Sequence, residues 1–256
     1  MSVAAGTPTA TPSGMNVLKI PVRDIELCLW ETLDACPGST DQLIYLYKDR
    51  AFLRRLEAVA ERIQPKHMIE VGILDGGSTI YWQDRFALER LIAFDIEADA
   101  PHLRRYLERN NLKRTVRTNF AVAQDDGPAL RTAIAEQALG PLVDFIVDDA
   151  SHQPAQTRAT VEILLPFLRP GGAYVIEDWA WGHHVTWPPG LWADRPLMSP
   201  LLSELTLVCG HGSGVIDRIE IDPNFAVLWR GEAALPKDGE FRLADHYVAR
   251  GRSVTP

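Results

Sequence analysis

The chain has 256 residues, 46% of them hydrophobic, and a formal net charge of −8 at pH 7. This length and composition suffice for one large α/β domain with a sizeable core. The acidic balance argues against a nucleic-acid partner, which requires clustered Lys and Arg, and no apolar run approaches the length of a membrane span.

Residues 1–14 are mostly Ala, Thr, Pro, Ser and Gly without a charged side chain, a composition typical of a disordered tail. They lack the basic and apolar regions of a signal peptide. The three cysteines, Cys28, Cys36 and Cys209, lack metal-site spacing, so we expect reduced thiols in a cytoplasmic protein.

Residues 15–66 are predicted to form a mainly helical N-terminal part. Residues 16–31 fit a surface strand or a short helix. Ser39 or Thr40 fits an N-cap, and apolar residues then recur at helical spacing from Leu43 to Ile63, with a break near Asp49.

Between residues 67 and 178, five strands alternate with helices. They are predicted at residues 67–71, 91–95, 116–122, 143–148 and 173–178. This alternation indicates an α/β fold with a doubly wound, Rossmann-like, mostly parallel sheet. Ligands of such sheets bind at the carboxyl ends of the strands, where this chain places its acids: Glu70, Asp95, Asp125, Asp149, Glu177 and Asp178.

The composition changes after the fifth strand. Residues 179–200 are predicted to be a lid or substrate loop because they hold Trp179, Trp181, His183, His184, Trp187 and Trp192. Residues 201–256 are expected to supply strands at 205–209, 214–221 and 225–229. The last two are predicted to form an antiparallel hairpin at one edge of the sheet, and residues 15–256 are predicted to be a single domain.

The turn from Glu70 to Ser78 leaves the first core strand and opens a helix. Its glycines permit a tight turn and a close ligand, and the helix start offers free N–H groups. The dinucleotide pattern G-x-G-x-x-G fails at Leu74, and the P-loop lysine is missing. The remaining pattern, E-x-G-x-x-x-G-x-S, resembles motif I of class I S-adenosylmethionine (SAM) methyltransferases. On this motif alone, a turn that binds nothing stays open.

The fourth and fifth strands are expected to be neighbours, about 4.8 Å apart, which would bring Asp149, Glu177 and Asp178 together. Such carboxylates repel one another unless a cation or a proton neutralises them, and oxygen ligands suit Mg²⁺ better than Zn²⁺. His152 follows Asp149 by three residues and could take a proton from a hydroxyl. A purely structural histidine and acids that only cap helices or hold ribose stay open.

The motifs together resemble the metal-dependent sugar O-methyltransferases of the macrocin and mycinamicin type, related to the cephalosporin-hydroxylase-like methyltransferases. The resemblance covers residues 40–181 and rests on the glycine turn, Asp95 and the segments 124–126, 148–152, 168–172 and 176–178. It implies the cofactors SAM and Mg²⁺ and a small-molecule sugar or glycoside substrate.

The resemblance also implies roles for individual residues. Glu70, Gly72 and Ser78 bind the methionine end of SAM, Asp95 binds the ribose, Gln124 and Asp125 lie near the adenine, and Asp148 is a further cofactor-binding residue. Asp149, Glu177 and Asp178 hold Mg²⁺, and His152 is the general base, with Asp149 as the second catalytic residue.

The function expected is methylation of a hydroxyl on a rhamnose-like deoxysugar, as a nucleotide sugar or a natural-product glycoside, in antibiotic biosynthesis by a homo-oligomer. Two alternatives stay open: a catechol-type O-methyltransferase acting on an aromatic diol, and a nucleoside-binding module without chemistry. A hydrolase is disfavoured because no G-x-S-x-G occurs.

Overall fold

The computed structural model describes residues 18–30, 38–184, 195–249 and 252–253. Its N-terminal part begins with a three-stranded sheet of β1 (Lys19–Val22), β2 (Ile25–Leu29) and β3 (Leu43–Leu46). β1 and β2 are antiparallel, whereas β2 and β3 are parallel. The mainly helical character expected for residues 15–66 is therefore wrong for the residues before position 50.

Helix α1 (Arg50–Ile63) begins later than predicted. Its N-cap is Asp49, whose carboxylate accepts the Phe52 N–H at 2.7 Å, and not Ser39 or Thr40. The hydroxyl of Thr40 instead accepts the N–H of Leu43 at 3.1 Å. The apolar run that suggested one broken helix thus divides into a strand, whose alternate residues are buried, and a helix with an apolar face.

The central sheet has seven strands, which are β4 (His67–Val71), β5 (Arg90–Phe94), β6 (Val116–Asn119), β7 (Val143–Asp148), β8 (Leu168–Glu177), β9 (Ile216–Ile221) and β10 (Phe225–Arg230). Their order is β6-β5-β4-β7-β8-β10-β9. The first five in this order are parallel, and β10 runs antiparallel to both β8 and β9. The Rossmann-like fold and the edge hairpin are confirmed.

Helices cover both faces of the central sheet. They are α2 (Gly77–Phe86), α3 (Pro101–Arg109), α4 (Gly127–Gln137), α5 (Pro154–Leu164) and α6 (Ser199–Gly210). One apolar cluster packs α1, α2 and α3 on one face of the sheet, and a second packs α4, α5 and α6 on the other. The helices cover the two faces of the sheet but not its edge at the carboxyl ends of β4, β5, β7 and β8. A ligand can therefore reach these strand ends.

The C-terminal part departs from the sequence prediction at one element. Residues 205–209 belong to α6 and not to a strand, because Leu201, Leu205 and Val208 repeat at helical spacing and are buried. The chain continues to the short strands β11 (Val248–Ala249) and β12 (Arg252–Ser253), which pair with each other.

Several sequence predictions fall on other parts of the chain. The tail at residues 1–14, Cys36, Trp187 and Trp192 lie outside the described residues. The expectation of reduced thiols is wrong for Cys28, which is disulfide-bonded, while Cys209 is a free thiol. Among the described helices, none is long and apolar enough to cross a membrane.

Candidate active site

A cavity of about 870 Å³ lies at the carboxyl ends of β4, β5 and β7. Eight of the side chains or backbones singled out from the sequence line it: Gly72, Ser78, Asp95, Gln124, Asp125, Asp149, His152 and Asp178. Its size is typical of a pocket for a ligand as large as a cofactor. The remaining predicted residues, Glu70, Asp148 and Glu177, are not part of the cavity wall.

The glycines of the turn are required mainly by the protein itself. Gly72 has φ +99°, and a Cβ there would lie 2.2 Å from the backbone oxygen of Asp149. A Cβ on Gly77 would lie 2.1 Å from the backbone oxygen of Tyr45 in β3. Because Gly72 has no Cβ, the ends of β4 and β7 can approach each other closely. In the same way, Gly77 lets the N-terminal sheet pack on the start of α2.

Two of the acids predicted to bind cofactor are buried beside the cavity instead of lining it. Glu70 accepts the Thr79 hydroxyl at 2.6 Å, and burial raises its pKa to about 7. Asp148 accepts the Tyr174 hydroxyl at 2.9 Å, and burial raises its pKa to about 7 as well. Glu70 therefore ties the end of β4 to the first turn of α2, and Asp148 ties β7 to β8.

Asp95 and Gln124 line the cavity, but both also organise its loops. One oxygen of Asp95 accepts the N–H groups of Ile73 and Leu74 at 2.6 and 2.8 Å. The side-chain oxygen of Gln124 accepts the Ser151 N–H at 2.8 Å. Because a carboxylate can accept about four hydrogen bonds, Asp95 retains capacity for a ribose hydroxyl, which stays a prediction.

The acid cluster forms where β7 and β8 end side by side. Asp149, His152 and Asp178 each offer a ligand atom, and these atoms lie within 4.8 Å of one another. The His152 Nε2 is 3.9 Å from the Asp149 Oδ1. His152 and Asp178 have φ of +52° and +55°. Left-handed backbone at two non-glycine residues of one cluster is a pattern seen at functional sites.

The imidazole of His152 is enclosed on one side by an aromatic ring. Its ring centroid lies 4.4 Å from that of Trp181, and its side chain is only 14% exposed. Burial lowers the pKa of His152, and the negative charge of Asp149 only partly opposes this shift. A neutral imidazole facing a cavity can accept a proton from a bound hydroxyl.

Sequence reasoning missed Lys48, the buried cation of the site. Its Nζ lies 2.7 Å from the Asp149 Oδ2 and 2.6 Å from the Glu177 Oε2. Burial alone would lower the pKa of Lys48, but the two carboxylates outweigh burial and raise the pKa above its ordinary value. Lys48 belongs to no recognisable motif, and its position just after β3 was not predicted because the helix was expected to begin before it.

The donor set is compatible with a hard divalent cation. Among the described residues, the Oε1 of the fully buried Glu177 has no hydrogen-bond partner, although a buried carboxylate oxygen ordinarily has one. Asp149 and Asp178 supply further oxygens in the same cluster. Glu177 lies outside the group of atoms within 4.8 Å, and its carboxylate is bonded to Lys48. Its role as a metal ligand therefore stays a prediction.

Part of the chain is similar to known methyltransferases. Residues 69–179 match the family model described as "Methyltransferase domain". Over 118 residues the chain is 30% identical to the 8-demethyl-8-alpha-L-rhamnosyl tetracenomycin-C 2'-O-methyltransferase of Streptomyces olivaceus, covering 43% of this chain and 28% of that protein. Over 125 residues it is 33% identical to the mycinamicin VI 2''-O-methyltransferase of Micromonospora griseorubida, covering 46% and 28%.

The fold has a counterpart among solved structures. The MycE methyltransferase from the mycinamycin biosynthetic pathway, in complex with Mg, SAH and mycinamycin VI, has a TM-score of 0.52 and 24% identity. The match covers 72% of this chain and 51% of that one. This likeness concerns the fold, and the curated relatives are matched over less than a third of their length. Residues 69–179 therefore match a methyltransferase domain, and the resemblance to methyltransferases that the motifs predict extends over this part of the chain.

Proposed function

We propose that the chain is a SAM-dependent O-methyltransferase that methylates a hydroxyl of a rhamnose-like deoxysugar, as a nucleotide sugar or a natural-product glycoside, in antibiotic biosynthesis. The proposal rests on one observation. Asp149, His152 and Asp178 form a cluster, and this cluster lines the same cavity as the glycine turn at residues 72–78. The turn supplies a place for the donor, and the cluster supplies a base and acids for an acceptor hydroxyl.

When bound, SAM supplies a methyl group attached to a positively charged sulfonium. Transfer of this methyl group to the acceptor oxygen leaves the sulfur as a neutral thioether. The task of the chain is to hold that oxygen in line and to remove its proton. His152 accepts the proton, because its imidazole is neutral and enclosed against Trp181. Asp149 beside it stabilises the imidazolium that results.

We also propose that the acid cluster holds Mg²⁺. Asp149 and Asp178 would hold it, with the Oε1 of Glu177, which has no hydrogen-bond partner in the part of the chain that the structure describes, as the third oxygen. A bound divalent ion would orient the acceptor oxygen and lower the pKa of its hydroxyl. His152 lies close enough to contact the same ion, but we assign it to proton transfer because oxygen ligands suit Mg²⁺ better.

Two observations support a sugar as the acceptor. The relatives matched by sequence are, by their names, O-methyltransferases of a rhamnosyl tetracenomycin and of mycinamicin. The cavity wall also carries aromatic rings outside the methyltransferase domain, with Trp30 and Tyr47 52% and 40% exposed and their centroids 6.3 Å apart. Exposed aromatic faces suit contact with the apolar face of a sugar or with an aglycone.

The proposal is tested by methyl transfer from labelled SAM to a panel of acceptors with Mg²⁺. The panel contains rhamnosides, free nucleotide-deoxysugars and catechols. We expect methylation of a sugar hydroxyl in at least one rhamnose-containing acceptor and none of the catechols. Methylation of catechols alone would make the enzyme a catechol-type methyltransferase, and SAM binding without any methylation would support a binding module.

A further inference from the structure

Lys48 reaches the acid cluster from outside the methyltransferase domain. It follows β3 of the N-terminal sheet, and its backbone is fixed there: its N–H donates to the Leu46 carbonyl at 2.8 Å, and its own carbonyl accepts the Trp30 N–H at 3.2 Å. The Nζ of Lys48 lies over the ring of Phe52, 5.4 Å from its centroid. The lysine is thus built into the site by a separate element of the fold.

The ammonium is almost completely withdrawn from water. The side chain of Lys48 is 3% exposed, and it bonds one oxygen of Asp149 and one of Glu177. Burying a charge is costly unless it is paired and hydrogen-bonded, and here two carboxylates provide the pairing. Lys48 is therefore the cation that holds these two acids in place in the metal-free protein.

One ammonium does not neutralise the whole cluster. Asp149, Glu177 and Asp178 together can carry three negative charges, whereas Lys48 carries one positive charge. The second oxygen of Glu177 has no hydrogen-bond partner within the described ranges. The second oxygen of Asp149 is 3.9 Å from the His152 ring. The cluster thus keeps oxygens that a further cation could bind, next to a positive charge that repels it.

We propose that Lys48 is a built-in counterion that tunes the affinity of the site for a divalent cation by sharing Asp149 and Glu177 with it. This inference rests on the metal site of the proposed function. Its two consequences have opposite signs: Lys48 stabilises the metal-free protein, and it weakens metal binding.

The test measures binding of Mn²⁺ alone by isothermal titration calorimetry, together with the Tm in EDTA and in Mn²⁺. Lys48→Met keeps an unbranched side chain, one atom shorter and without the charge, and should bind Mn²⁺ at least about tenfold more tightly than wild type, because a like charge within a few ångströms is removed. Its Tm in EDTA should be lower than that of wild type, and Mn²⁺ should raise its Tm by a larger increment.

Two further variants control the experiment. Lys48→Arg keeps the positive charge and should bind Mn²⁺ no more tightly than wild type. The exposed Lys66→Met changes the net charge by the same amount on the surface and should also match wild type. If Lys48→Met folds only with metal, the absence of tighter binding in Lys48→Arg still tests the role of the charge.

The results separate this inference from the proposed function. Equal or weaker Mn²⁺ binding by Lys48→Met, no detectable Mn²⁺ binding by any variant, or equally tighter binding by Lys48→Arg would overturn the inference. A wild-type protein that methylates a rhamnoside while Lys48→Met binds Mn²⁺ no more tightly would keep the function and reject the role of Lys48. If Lys48→Met binds Mn²⁺ more tightly but the wild-type protein methylates no acceptor, the role of Lys48 is kept and the proposed function is rejected.

Discussion

The burial of Glu70 predicts a specific dependence of stability on pH. Its carboxyl is 1% exposed and accepts the Thr79 hydroxyl. Burial raises the pKa of Glu70 from 4.5 to about 7, so the folded protein holds this proton more tightly than the unfolded chain. The resulting stabilisation is fully present below pH 4.5 and is lost as the pH rises through 7.

The size of the effect follows from the shift. About 2.5 pKa units at about 1.36 kcal/mol per unit give roughly 3 kcal/mol, of which about 2.5 kcal/mol is lost between pH 5 and pH 8. Glu70→Gln keeps a hydrogen-bond acceptor for Thr79 but does not titrate. Between pH 5 and pH 8, its free energy of unfolding should therefore fall by about 2.5 kcal/mol less than that of wild type.

The assay is urea unfolding at both pH values in EDTA, followed by circular dichroism. Glu136→Gln, at an exposed position of α4, is the matched control and should retain the wild-type dependence. If Glu70→Gln lost as much stability as wild type over this range, Glu70 would already be ionised in the folded protein. Its assignment as a buried, protonated link between β4 and α2 would then be refuted.

Three further predictions concern the site itself. His152→Ala should lower kcat by roughly 10²–10⁴, the usual contribution of a general base, with SAM affinity by calorimetry unchanged; equal rates of variant and wild type across pH would assign the proton to another group. Gly72→Ala should lower the Tm and weaken SAM binding, because its Cβ would lie 2.2 Å from the Asp149 backbone oxygen at φ +99° and force the ends of β4 and β7 apart, whereas Gly140→Ala, with nothing within 4 Å, should keep the wild-type Tm and SAM affinity. Asp149→Asn should weaken Mn²⁺ binding as well as turnover, and an unchanged dissociation constant for Mn²⁺ would remove Asp149 from the metal site.

The central sheet was predictable because each of its signals is local. Strands β4, β5, β7 and the second half of β8 are short apolar runs, and Asp95, Asp149 and Asp178 come directly after β5, β7 and β8. Parallel pairing then places those acids at one edge without further information. The convergence of Asp149 and Asp178 follows from this rule, and His152 reaches them from the loop that leaves β7.

The N-terminal part was not predictable in the same way. The run from Leu43 to Ile63 fits one interrupted helical pattern, but Leu43–Leu46 pairs with β2, and this long-range pairing decides its structure. Lys48 enters the site only because that strand packs on Gly77, where the missing Cβ leaves room for β3. No local pattern announces a contact made across 101 residues of sequence, as between Lys48 and Asp149.

The side-chain roles show a second limit of sequence reasoning. Asp148 and Asp149 are adjacent in sequence, but Asp148 is the last residue of β7 and bonds Tyr174, while Asp149 lies just beyond the strand and lines the cavity. Likewise, the carboxylate of Glu177 bonds Lys48 and Asp178 lines the cavity. A motif identifies the end of the strand, but the backbone conformation there decides which of two neighbouring acids faces the cavity.

The most direct test of the central claim is a crystal structure of the chain with SAH and Mg²⁺. We expect SAH in the cavity with its homocysteine end at the Gly72–Ser78 turn, and the ion on Asp149 and Asp178 beside His152. SAH bound elsewhere, or an acid cluster that stays far from the sulfur with no ion on its carboxylates, would contradict it.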